Sequence, residues 1–201
     1  MKTNIILAFI IVIALCLPGL SQNDVPKLLD EASSSYSSGD LENARFALQE
    51  ALNGINQAIG QDILSQLPQT IGDMSIVENS DNVTGTNLGF AGLYVNRDYK
   101  SETSELNFQI ISDSPMMAAI SSMLSMSVFM AADPNQKRIK LDGYKALMTR
   151  NEDSEGVVSY DIQLPFGSSL MTFTVNGISD GDEVEQLLGE IPVGTIIEKA
   201  Q

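Results

Sequence analysis

Val158-Ser159-Tyr160-Asp161-Ile162-Gln163-Leu164 alternates apolar and polar side chains without a break. Successive side chains of a β-strand point to opposite faces, so this stretch reads as a strand with one buried and one wetted face. Its surroundings repeat the pattern. Leu106, Phe108 and Ile110 alternate with Asn107 and Gln109, and Met171, Phe173 and Val175 mark a last strand beyond the connection Pro165-Phe166-Gly167. Upstream, Leu88 to Lys100 reads as a strand interrupted by Gly89 and Gly92. Lys137 to Arg150 reads as another, whose phase changes across Asp142-Gly143, as a β-bulge would make it. Polar turns such as Asn151 to Gly156 separate these runs. Hairpin connections therefore dominate, and the sheet is expected to be mostly antiparallel.

Helical periods fill the gaps. Asp113 and Ser114 precede Pro115, which suits a cap followed by proline at the first helical position, and the uncharged run to Ala132 reads as a helix stopped at Asp133-Pro134. Ser179 or Asp180 caps a final helix over Asp182 to Ile191, ahead of an apolar tail holding Val193, Ile196 and Ile197. Before the strands, Val25 to Ser35 forms a short helix. Ser37-Ser38-Gly39 is a turn, and Asp40 is the N-cap of a long helix closed by Pro68. Along it Ala44, Leu48, Ala51, Leu52, Ile55 and Ile59 recur at spacings of three and four, one apolar stripe. The expected architecture is α+β: an antiparallel sheet of about six strands packed by helices over 67–201, preceded by a helical hairpin over 22–66. Strands with one polar face cannot be wrapped by apolar helices on both sides, so part of one face should meet solvent or a partner.

The first 21 residues read as an export signal. Lys2 supplies the positive start, Ile5 to Leu17 is uncharged and apolar but short for a bilayer, and Pro18-Gly19-Leu20-Ser21 places small residues before a cleavage point at Gln22. The chain is thus expected in the periplasm or secreted, with no transmembrane segment after cleavage. Cys16, the sole cysteine, lies inside this signal. Leu15 stands where a lipid-modified cysteine needs a small neighbour, so a lipid anchor there is not expected.

Eight residues, Ala32, Tyr36, Gly39, Asp40, Ala44, Leu48, Ala51 and Leu52, together resemble one tetratricopeptide-type helical hairpin, which occurs once. A solenoid needs several stacked copies, so the hairpin is expected to cover one face of the following domain. Further on, three features carry a second resemblance. They are the Leu67-Pro68 pair, the stretch Ile110-Ile111-Ser112-Asp113-Ser114-Pro115-Met116 with its Met- and Ser-rich continuation, and the strand Lys140 to Lys145. This region is similar to a broad group of exported bacterial proteins of uncharacterised function. The resemblance implies location and fold, not an activity.

Composition narrows the chemistry. Hydrophobic residues at 43% and charged residues at 18% place the chain among folded proteins. A formal net charge of −15 gives a strong negative field, which repels nucleic acid and anionic lipid. There is no histidine, so a Ser-His-Asp triad, a Cys-His pair and ordinary zinc ligation are all ruled out beyond the signal. No cofactor motif is found, and the chain is expected to be non-enzymatic, binding an unknown protein or small ligand. Two other readings stay open. Met116, Met123, Met126 and Met130 fall on one side of a helix and could offer thioethers to Cu(I), a soft ion matched to sulfur, or could simply fill a core. Asp142 and Asp161, on neighbouring strands, could pair as hydrolytic carboxylates. Tyr94, Tyr99 and Tyr144 would form a ligand patch only if they share a face. The acidic loops 78–82, 151–155 and 180–183 read as solvated turns and helix caps.

Overall fold

The computed structural model describes residues 24–84, 92–114, 116–125 and 133–201. Two helices, α1 (Val25–Ser38) and α2 (Leu41–Gln66), are followed by strands β1 (Thr70–Ile71), β2 (Met74–Ile76), β3 (Asn82–Thr84), β4 (Tyr94–Lys100) and β5 (Glu105–Ser112). Helix α3 (Met117–Ser125) leads to β6 (Gln136–Leu141), β7 (Tyr144–Glu152), β8 (Val158–Phe166) and β9 (Ser169–Asn176), and the chain closes with α4 (Gly181–Leu188) and α5 (Val193–Ala200). The expected strand from Leu88 is described only from Tyr94 onward. The expected helix to Ala132 is described only as far as Ser125.

The α+β class holds, with more strands than the six expected. One sheet runs in the order β1-β2-β4-β5-β9-β8-β7-β6, every pairing is antiparallel, and β3 joins β4 beside β2. Two causes raise the count. Strands β1, β2 and β3 are two or three residues long, too short to show a period of two. The stretch from Lys137 to Arg150 is a hairpin, not a bulged strand. Asp142 and Gly143 both take positive φ, 48° and 84°, the turn geometry that matches strand twist and that Asp-Gly adopts readily. Leu141 then faces Tyr144, and the change of phase is the turn itself.

Pro165 likewise lies inside β8 and not in a connection; the turn is Gly167-Ser168, with Phe166 facing Ser169. Its missing N–H breaks no ladder bond to β7, because the pairing of β8 with β7 stops at Leu147–Gln163.

The core lies on one face of this sheet. Val95, Tyr99, Phe108, Ile162 and Phe173 are buried beneath Ile63 and Leu64 of α2, Val184 and Leu188 of α4, and Ile196 and Ile197 of α5. Phe108 and Phe173 are directly opposed across β5 and β9, their ring centres 5.6 Å apart. Full burial of each such side chain stabilises by about 1.5–3 kcal/mol, so this layer carries the fold. The other face is mostly polar and half-buried, with Asn96, Asn107, Gln109, Thr172, Thr174, Asp161 and Gln163 in lateral rows. Only at one end does α3 cover it, where Ile120 and Leu124 meet Leu147 and Leu170 in a small separate cluster. Among the described residues β6 is the last strand on its side of the sheet, and it bears Lys137, Arg138 and Lys140.

Local capping sets the helix limits. Gly39 ends α1 at φ 84°, and the Asp40 side chain accepts the Asn43 N–H at 3.1 Å to start α2. Asp180 accepts the Asp182 N–H at 2.9 Å to start α4. The apolar tail becomes α5, whose first turn is capped from outside: the Asp142 carboxylate in the β6–β7 turn accepts the Gly194 N–H at 3.0 Å.

Helix α2 lies closest to the sheet at Gly60. A Cβ there would sit 2.3 Å from Val83 Cγ1, so only glycine lets α2 lie on β3. Gly60→Ala is expected to destabilise by about 1–3 kcal/mol through overpacking. In a Val83→Ala background most of that cost should disappear, since only the residue-83 Cβ, 3.2 Å away, would still crowd the new methyl, and alanine is the better helix former by about 1 kcal/mol. Urea unfolding of the four-protein cycle checks this, and a Gly60→Ala cost unchanged by Val83→Ala would refute the contact.

Candidate functional site

The feature that stands out is the helical hairpin. Only the second half of α2 rests on the sheet, through Gly60, Ile63 and Leu64, while the first half projects together with α1. The two helices meet through small residues, Ala32 of α1 and Ala44, Ala47 and Ala51 of α2, all buried. Their larger neighbours are not. Leu41 is 61% exposed, Leu48 53% and Leu52 55%, with Ile55 beyond them. At 100° per residue these four span about 60° of the helix surface, roughly 80° round from the alanine line. On α1, Leu29 and Tyr36 are exposed too, Tyr36 at 71%. Because the helices run antiparallel, both sets turn to the same side of the hairpin. The result is one contiguous apolar face, with Phe46 exposed on the opposite side.

The single stripe expected on α2 is therefore two surfaces. Alanines face α1, and leucines face outward instead of covering the sheet domain. The signal that separates them is side-chain size within one periodic set.

The root of the hairpin is fixed by a buried cation that sequence reading did not single out. Arg97 lies on the core face of β4 and is only 5% exposed. It donates to both carboxylate oxygens of Asp81, at 2.7 and 2.6 Å, and to the carbonyls of Leu64 and Leu67 at 3.0 and 3.4 Å. The guanidinium thus meets carbonyls at the end of α2, that of Leu64 also accepting the Leu67 N–H at 3.3 Å, where the helix dipole favours a cation. Bonding to Asp81 holds the Arg97 pKa above its ordinary value, against the opposing effect of burial. Two residues on, the Tyr99 hydroxyl donates to the Pro68 carbonyl at 2.8 Å, and burial raises its pKa, so the phenol stays protonated.

Of the methionines, Met116 is exposed just ahead of α3, while Met123 packs partly buried against the Ile120–Leu124–Leu147–Leu170 cluster. They stand about two helical turns apart. Met126 and Met130 lie outside the described residues. Asp142 and Asp161 are not brought together. Asp142 caps α5 from a turn, whereas Asp161 opposes Thr149, roughly 20 Å away along β7, and accepts from Thr174 and Asn151 at 2.8 Å. The tyrosines do not share a face: Tyr99 is in the core, Tyr94 is on the reverse of β4, and Tyr144 is exposed at a hairpin tip. The acidic loops do structural work. Asp81 binds Arg97, Asp180 caps α4, and Asp153 accepts the N–H groups of Glu155 and Val157. Among the described residues no group of three or more acidic side chains is placed to hold a metal ion, and no helix is long and apolar enough to cross a membrane. On the polar sheet face a shallow depression of about 270 Å³ is lined by Asp98, Lys100, Glu105, Asn107 and Asn176, with Lys100 and Glu105 paired to each other.

Comparison with protein-family models, with curated proteins and with solved structures gives no match for this chain.

Removing the Asp81 carboxylate leaves the Arg97 charge buried and half-served. Asp81→Ala is expected to destabilise by about 2–4 kcal/mol, below the figure for a wholly buried pair because Asp81 is 40% exposed. Hydrogen exchange should show the loss concentrated in the last turns of α2. Uniform deprotection with no excess there would reject Arg97 as the anchor of the hairpin.

Proposed function

We propose that this chain is an exported, non-enzymatic interaction protein that holds a partner against the apolar face of its helical hairpin. The observation that carries the reading is the cluster formed by Leu29, Tyr36, Leu41, Leu48, Leu52 and Ile55 on one side of two packed helices. Scattered exposed leucines are ordinary, but a contiguous apolar face on a projecting element is costly to leave wet and marks a contact surface. Export is supported by Lys2, the uncharged run Ile5 to Leu17 and the small residues ahead of Gln22, together with the resemblance to exported bacterial proteins. Absence of histidine, and of cysteine past position 16, removes the side chains that serve most acid–base and nucleophilic chemistry near neutral pH. Soft-metal binding at Met116, Met123, Met126 and Met130 draws no comparable support, since Met123 is occupied in packing.

A photo-crosslinking amino acid placed at Leu48 or Leu52, in cells that make the chain, tests the reading. A discrete adduct is expected at these positions and not at Phe46 on the opposite side. No adduct at either position sinks the proposal. So does turnover of any substrate that a single Asp or Glu substitution abolishes.

A further inference from the structure

We infer that the occupant of this face is a basic amphipathic helix of another protein, lying along α2 as a continuation of α5. The inference rests on the function just proposed and adds the chemistry of the partner.

Three observations point the same way. The first is shape. Two antiparallel helices packed through alanines present parallel ridges of larger side chains with a furrow between them. A third helix fills such a furrow with residues at intervals of three and four.

The second is continuity with a contact the chain already makes. Ile59, next on the outward side of α2, is half-buried against the main core. Asp62, most of a turn further, binds Lys199 of α5 at 2.8 Å. Helix α5 thus covers the end of α2 nearest the sheet with Ile196 and Ile197 buried and a lysine at the rim. From Leu41 to Ile55 the same surface runs on uncovered for about 21 Å, or four helical turns. What fits beyond α5 is more of what α5 supplies: an apolar side with cations at its margin.

The third is charge. Between residues 24 and 66 stand Asp24, Asp30, Glu31, Asp40, Glu42, Glu50 and Asp62, the last already paired with Lys199, against only Lys27 and Arg45. A second copy of the chain would bring the same acidic hairpin and a net charge of −15, opposing self-association. A basic helix gains from the same field, which also speeds its encounter.

The purified protein is titrated into two fluorescent synthetic peptides of about 18 residues, one built from leucine and lysine in a helical period, the other with glutamate replacing lysine. Binding is read by anisotropy, and the oligomeric state by sedimentation equilibrium. The Leu/Lys peptide is expected to bind at least about tenfold more tightly than the Leu/Glu peptide and to weaken several-fold in about 0.5 M salt. Leu48→Ser/Leu52→Ser should weaken it at least about tenfold, while Phe46→Ser leaves it unchanged. These substitutions fall on exposed positions, so the melting temperature should stay within a few degrees of the parent.

Equal binding of both peptides overturns the inference. Leu/Lys binding that survives Leu48→Ser/Leu52→Ser overturns it as well, as mere attraction to an acidic protein. A dimer that Leu48→Ser/Leu52→Ser dissociates also overturns it, by making a second copy the occupant, yet leaves the face as an interaction surface. Only absence of crosslinks at Leu48 and Leu52 removes that surface altogether.

Discussion

A guanidinium taken out of water must have its charge and donors met, and at Arg97 this requirement organises the junction between the chain's two parts. Asp81 answers from the segment ahead of β3, and the last carbonyls of α2 answer from above. The same side chain therefore ends the helix, closes the strand edge over it and fixes the direction in which α2 leaves the sheet. Tyr99 repeats the logic one step along β4 through the Pro68 carbonyl. With the lower half of α2 held at these points and by Gly60 on β3, the upper half continues the same helix and carries α1. The apolar hairpin face is thus presented on a helix that is anchored at its other end to the sheet.

Much of this was legible from residue order, because some signals are local and unambiguous. The alternation of Val158 to Leu164, the cap at Asp40 and the cap at Asp180 each depend on neighbours a few residues away, and each is found where the pattern places it. What was not legible depends on distance or on scale. β1 to β3 are shorter than any period. Asp142-Gly143 shifts the alternation by one position, as Leu141 is followed by Tyr144, and a bulge and a tight turn both do this; only the closing pair Leu141–Tyr144 distinguishes them. Arg97 breaks the alternation of Val95 and Tyr99 at a core position, and that break was the one trace of the buried cation. On α2 the hydrophobic period was right, but period does not say which of two adjoining surfaces is filled. The division of alanines from leucines does.

The polar sheet face and the apolar hairpin face answer opposite needs. Asn107 donates to Asn96 and Thr174 donates to Asp161 within lateral rows, and these polar side chains sit comfortably against water. Leu48 and Leu52 gain nothing from water. Any account of the molecule's role must begin where solvent is the worse neighbour.

One rim of the sheet has a bearing on how such a molecule survives. Among the described residues no strand pairs with the outer side of β6, and a free strand edge is the usual seed for fibril growth. Arg138 and Lys140 stand along that border, while Lys137 beside them is paired with Asp182 and Glu185 of α4. Another molecule approaching with its own β6 brings the same cations, and like charges in adjoining strands repel. Stacking by strand addition is thereby disfavoured at the very border where it would begin, in a chain that keeps leucines in contact with water.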